Sequence, residues 1–198
     1  MEALRSAEQR TRELFFKDGS DASAFIINPG CNKENTYGWT VENSGTSKGE
    51  ASDGVSTNAY WNLWKGSAFT STMYQDINYL PEGKYSVRAL LRGSTNEEMS
   101  LTATVHKDNV LKEQQTASIT PTGATSAEGS KYKNGWQLAE TPQVIVRTGE
   151  TLRIGMVAQS SGSAWWSADD FGLTWEYVEP LPDGILTLRD GENEKMRK

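Results

Sequence analysis

The chain has one cysteine, Cys31, and one histidine, His106, in 198 residues. A lone cysteine excludes an intramolecular disulfide, which suits a reducing compartment and many bacterial secreted proteins alike. A lone histidine with no triad partners in its pattern argues against Ser-His-Asp or zinc chemistry. No run approaches the ~18 apolar residues of a membrane span, and the segment after Met1, EALRSAEQR, lacks the apolar stretch of a signal peptide. Lysine and arginine do not cluster, and the formal net charge is −6. Nucleic acid is therefore excluded as a partner, and so is membrane insertion. There is no GxGxxG, P-loop, HExxH or GxSxG, so the common phosphate-binding and hydrolase constellations are missing. Both ends read as cut, which makes a piece of a longer chain the expectation.

What is present is aromatic residues and alternation. Seven Trp and seven Tyr offset a hydrophobic content of only 36%, because each aromatic buries roughly 150–250 Å². Residues 2–17 carry apolar side chains at helical spacing with Gly19 just beyond, so a short N-terminal helix is expected, followed by a polar linker to residue 23. From residue 24 the period becomes two. GKYSVRALLRG, MSLTATVHK, ETLRIGMVAQ and FGLTWEYV each alternate as strands with one buried face do, and FIIN, YGWTVE, NAYWNL, STMYQDI and QVIVR are shorter candidates. Leu80-Pro81-Glu82-Gly83 reads as a turn between two strands. Residues 116–135 are almost devoid of apolar side chains and read as a long surface loop. Eight or nine short strands imply an all-β sandwich over residues 24–178, with a linker and charged tail over 179–198.

Two segments concentrate tryptophan in polar, glycine-rich loops: 57–85, TNAYWNLWKGSAFTSTMYQDINYLPEGKY, and 160–177, SSGSAWWSADDFGLTWEY. Trp61 and Trp64 are three apart, and Trp165 and Trp166 are adjacent. On strands both spacings put one ring inside and the other outside. An outward indole offers its electron-rich face to the C–H groups of a pyranose, while amides and ammonium groups bond its hydroxyls. Trp61, Asn62, Trp64, Lys65, Trp165 and Trp166 are the candidate ligand contacts, with Tyr132 and Trp136 completing an aromatic patch. Asp169 and Asp170, as strand neighbours, point apart and do not form the carboxylate pair of a glycosidase. Glu97 and Glu98 read as a solvated hairpin end, and Cys31 as a packed thiol.

The ordered set FIINP…GW, AYW, MYQDINYLPEGKYSVRA, TLRIGM and SGSAWWSADDFGLTW resembles the galactose-binding-like jelly-roll modules attached to secreted and surface glycan-processing proteins of gut bacteria. The resemblance spans about residues 25–177. It implies a jelly-roll β-sandwich that is not catalytic. Its implied partners are an oligo- or polysaccharide and neighbouring domains of a parent chain. The implied setting is extracellular, cell-surface or periplasmic. Related modules hold a structural calcium with the Asp of the final-strand motif, which matches Asp169 here. Gly30-Cys31-Asn32 departs from the Phe-Glu pair that supplies the other ligand. The alternative reading is a structural spacer or protein-interaction sandwich without a glycan site.

Overall fold

The computed structural model describes residues 19–31, 37–42, 47–50, 59–123 and 134–179. Twelve strands run through them: β1 (Ser20–Asp21), β2 (Thr40–Glu42), β3 (Ser47–Glu50), β4 (Ala59–Lys65), β5 (Phe69–Ile77), β6 (Gly83–Gly93), β7 (Glu97–Lys107), β8 (Val110–Ile119), β9 (Gln137–Glu140), β10 (Val144–Val146), β11 (Thr151–Ser160) and β12 (Ala164–Glu176). One sheet has the order β10-β6-β12-β4-β3, with β1 added on β12 and β9 on β6; the other has the order β2-β5-β11-β7-β8. All pairings are antiparallel. The protein is a jelly-roll β-sandwich.

Alternation builds the core. Tyr85, Val87, Ala89 and Leu91 of β6 and Trp166, Ala168, Leu173 and Trp175 of β12 turn inward from the first sheet. Met99, Leu101, Ala103 and Val105 of β7 and Leu152, Ile154, Met156 and Ala158 of β11 meet them from the second. Gly155, in the middle of β11, has no room for a side chain. A Cβ there would overlap the Met73 carbonyl oxygen and lie 2.8 Å from Tyr74 Cβ on the adjacent strand. In β12 the register shifts between Asp169 and Gly172. Asp170 takes a left-handed backbone there, φ 49°. This bulge turns Phe171 against Trp39, centroids 4.4 Å apart, and lets the Phe171 amide donate to the Pro29 carbonyl at 2.9 Å. Gln75 ties the N-terminal loop down by accepting from the Ile27 amide and donating to the carbonyls of Ile27 and Gly38.

The longer strands and the turn at 80–83 overlap the segments that the alternation marks, but β12 starts at Ala164, seven residues before FGLTWEYV, so Trp165 and Trp166 lie on a strand and not in the expected loop. FIIN is an exception: Ser23–Phe25 is a 3-10 turn and the chain then bends through Asn28. Its side chains lack a partner strand and Ile27 is exposed. β8 was missed because it is an edge strand of alternating polar residues, and it takes in 116–119 of the expected long loop. Glu97 corrects the reading of a solvated hairpin end. β7 begins two residues earlier than expected, and Glu97 continues the inward row of Met99, Leu101, Ala103 and Val105, at 5% exposure. The N-terminal helix and the tail from 180 onward lie outside the described residues. Among the described residues no helix is long and apolar enough to cross a membrane.

Candidate functional site

All seven tryptophans are described. Trp39, Trp61, Trp136, Trp166 and Trp175 are buried; Trp64 is 68% exposed and Trp165 is half-buried. The two that reach solvent are register partners, Trp64 on β4 opposite Trp165 on β12. Alternation explains the sorting. Trp61 and Leu63 enter the core, so Tyr60, Asn62 and Trp64 take the outer face of the first sheet; Trp166 enters, so Trp165 stays out. The far edge of the Trp64 ring lies beside Gly66, whose Cβ would sit 3.4 Å from Cη2. Asn62 and Ser167 form the next register pair on the same face. Three short turns rim this end of the sandwich: Gly66-Ser67-Ala68, Ser94-Thr95-Asn96 and Ser161-Gly162-Ser163.

Arg92 anchors the outer face. Its guanidinium carbon lies 4.5 Å from the Trp136 ring centroid, 4.9 Å from Tyr60 and 5.6 Å from Trp165, and the residue is 3% exposed. Nη1 donates to the Asn134 carbonyl at 3.0 Å. Asn134 and Gly135 are both left-handed, φ 62° and 76°, which turns the chain back over the sheet and lays Trp136 on Arg92. An arginine cation shared among desolvated aromatic faces is strongly held. It fixes Trp165 from below.

The backbone of Trp165 is fixed by Ser94. The Ser94 amide donates to the Trp165 carbonyl, and the Trp165 amide donates to Ser94 Oγ, both at 3.0 Å. Asn96 Nδ2 donates to the Ser163 carbonyl at 3.1 Å. The Glu97 amide closes the turn on the Ser94 carbonyl at 3.1 Å. The Glu97 carboxyl itself points into the sandwich end, where neither oxygen reaches full hydrogen-bond geometry and the Ser94 backbone amide is the one donor turned toward it. Burial pushes its pKa up to about 8, the Ser94 amide pulling weakly the other way. At neutral pH it is a carboxylic acid.

A second concavity, about 490 Å³, lies on the outer face of the other sheet, lined by Asp76, Asn78, His106, Asp108, Thr151 and Arg153 among others. Its strongest groups are already paired. Arg153 forms a bidentate bond to Asp76 at 2.7 and 2.9 Å and stacks on Tyr74 at 3.9 Å. The single histidine bonds Thr104.

Asp169 is fully buried at the β12 bulge, where Oδ1 accepts from the Asp170 amide at 2.8 Å. Its neighbour Cys31 is fully buried too. Burial, and secondarily the Asp169 carboxylate, push the Cys31 thiol well above its usual pKa, so it stays protonated. Calcium takes six to eight oxygen ligands. Among the described residues no three His, Cys, Asp or Glu converge, and a neutral thiol beside Asp169 is a poor donor for a hard cation.

Of the sequence candidates, then, the structure brings together Trp64, Trp165 and Asn62 on one surface, with half-buried Lys65 on the strand end beside them. Trp61 and Trp166 are corrections: both rings are fully inside and present no face to a ligand. Trp136 is a third, buried at 1% by its packing on Tyr60 and Arg92. Tyr132 lies outside the described residues. Arg92 and Ser94 are not among the sequence candidates, and Glu97 enters there only as a solvated hairpin end. The signal for Glu97 was legible: carrying the Met99-Leu101-Ala103-Val105 row back by two residues reaches it.

No protein-family model matches the chain, and no curated protein matches it. Solved structures do match, and the class they define is the jelly-roll fold of carbohydrate-binding modules. One is TmCBM61, solved in complex with β-1,4-galactotriose: TM-score 0.62, 21% identity, covering 77% of this chain and 98% of that one. Another is the CBM22-1 xylan-binding domain of Paenibacillus barcinonensis Xyn10C: TM-score 0.52, 14% identity, 82% of this chain and 99% of that one. The enzymatically active domain of bacteriophage CBA120 tailspike protein 4 also matches, at TM-score 0.57 and 11% identity, over 76% of this chain but 21% of that one. At these identities the likeness is one of fold.

Proposed function

We propose that this protein is a non-catalytic glycan-binding module whose ligand rests on Trp64 and Trp165. One observation carries the reading: five of seven indoles are sealed inside, and the two that are not are cross-strand partners on one face. A pair of directly opposed indoles offers adjoining apolar surfaces at the ~5 Å spacing of cross-strand side chains, which suits stacking against consecutive sugar rings. Asn62 stands next along that face to bond equatorial hydroxyls. The turns at 66–68, 94–96 and 161–163 are built from Gly, Ala, Ser, Thr and Asn alone. That rim suits an uncharged glycan better than a uronic-acid or sulfated one. Solved modules of the same fold bind β-1,4-galactotriose and xylan, which are ligands of that kind. The affinity is modest, because few sugar units bury little area and their hydroxyls lose water. The setting that suits such a module is a larger secreted or cell-surface glycan-processing protein.

The test is affinity electrophoresis in gels containing galactan, xylan, mixed-linkage glucan or polygalacturonate. Retardation is expected in one or more neutral gels and not in polygalacturonate, and it is lost in Trp64→Ala and in Trp165→Ala. Retardation that survives both substitutions overturns the reading.

A further inference from the structure

Three features tie Glu97 to the exposed tryptophan pair. Its amide closes the 94–97 turn on the Ser94 carbonyl, and Ser94 holds both the amide and the carbonyl of Trp165. Its carboxyl fills the space that a side chain on Gly93 would need. A Cβ on Gly93 would overlap Glu97 Oε2, lie 2.8 Å from Met99 Sδ and lie 3.1 Å from the Trp165 carbonyl oxygen. Gly93 is in turn the register partner of Trp166, whose indole Nε1 is buried without a hydrogen-bond partner. A carboxyl wedged between the ends of two sheets, with no full hydrogen bond to either oxygen, is tolerated while it is neutral and is costly as an anion.

We propose that the protonation state of Glu97 gates the tryptophan shelf: as an acid it lets the 94–97 turn close over the sandwich end, and as an anion it swings to solvent and releases Trp165. Of the groups facing it, only the Ser94 backbone amide favours the anion, and burial outweighs it. Those groups are Gly93 of β6, Met99 of β7, Ser160 of β11, Trp166 and the Trp165 carbonyl of β12, and the turn 94–96, none of them titratable. The charged residues next along its own and the adjacent strand face elsewhere: Glu98 is exposed, and Arg92 lies on the outer face among Tyr60, Trp136 and Trp165. The raised pKa of about 8 puts the transition in the mildly alkaline range. The residue opens β7 at the end of the sandwich, directly after the three-residue turn 94–96. Only the consequence for ligand rests on the glycan-binding reading above; the movement of Trp165 does not.

Two measurements between pH 6 and 9.5 test it. The first is acrylamide quenching of Trp fluorescence without ligand, in a Trp64→Phe background where Trp165 is the one solvent-reaching indole. The second is the affinity of the otherwise unaltered protein for its best neutral oligosaccharide. Each is run with Glu97 intact, with Glu97→Gln and with Glu97→Met, the last in case the amide fails to fold. Quenching is expected to rise with a midpoint near 8 when Glu97 is present and to stay flat in both variants. With the acid alone competent, affinity falls about thirty-fold by pH 9.5 and stays flat in the variants. Flat quenching with Glu97 present, or the same pH profile with and without it, overturns the proposal. Titrating quenching with no glycan bound at any pH supports the gate and removes the glycan reading instead.

Discussion

Arg92→Lys is expected to destabilise the protein although it keeps the charge. The guanidinium lies 4.5 and 4.9 Å from two ring centroids and 5.6 Å from a third, at 3% exposure. A desolvated cation–π contact is worth about 2 kcal/mol and an exposed one about half that or less. The two nearer rings supply most of the gain. Lysine can approach one of them, but its compact, strongly hydrated ammonium cannot lie flat between Tyr60 and Trp136 while also reaching the Asn134 carbonyl. The expected net loss is about 2–3 kcal/mol. For a domain of this size each kcal/mol lowers Tm by about 2–4 °C, so the midpoint falls by roughly 5–10 °C in differential scanning calorimetry. Glycan affinity falls with it, because Trp165 loses its support. A Tm within about 1 °C of the parent would refute the idea that the cation is the anchor.

Glu97 makes a pH prediction for stability. Its folded pKa is raised from 4.5 to about 8, so between those values the unfolded chain has released the proton and the folded chain keeps it. Stability is then highest below about pH 4.5 with respect to this group and falls by about 1.4 kcal/mol per pH unit up to about 8. Glu97→Gln removes that slope in urea denaturation at a series of pH values, and a slope that persists in the variant counts against it. Gly155→Ala sets a Cβ into the Met73 carbonyl, which neighbouring strands prevent from moving aside, so a loss above about 2 kcal/mol is expected; unchanged chemical denaturation would contradict the packing described. Chelator is expected to leave Tm unchanged, and a fall of several degrees would show that a cation is held after all.

Much of the sandwich was legible in the sequence because a one-face-buried strand writes its orientation into every second residue. Tyr85, Val87, Ala89 and Leu91, or Leu152, Ile154 and Met156, need no partner to reveal which way they point. The same rule separated Trp61 from Trp64 and Trp165 from Trp166 into opposite faces, though not which of each pair was outside. That depends on where the hydrophobic row of the whole strand lies, and Leu63 and Ala168 decide it in the structure. β8 escaped because an edge strand has no second neighbour and need not be apolar. Trp136 was misjudged because its burial comes from a loop folding back onto Arg92, a contact between residues 44 apart in sequence that no local pattern records. Glu97 was misjudged because it directly follows the Gly93-Ser94-Thr95-Asn96 turn, where a hairpin end is ordinarily solvated, against a register that points inward.

The most direct measurement is the set of seven indole N–H resonances in a heteronuclear NMR spectrum as a neutral oligosaccharide is titrated. Saturable shifts confined to Trp64 and Trp165, with Trp39, Trp61, Trp166 and Trp175 unmoved, are what this account predicts. Saturable binding that leaves those two resonances in place would contradict it.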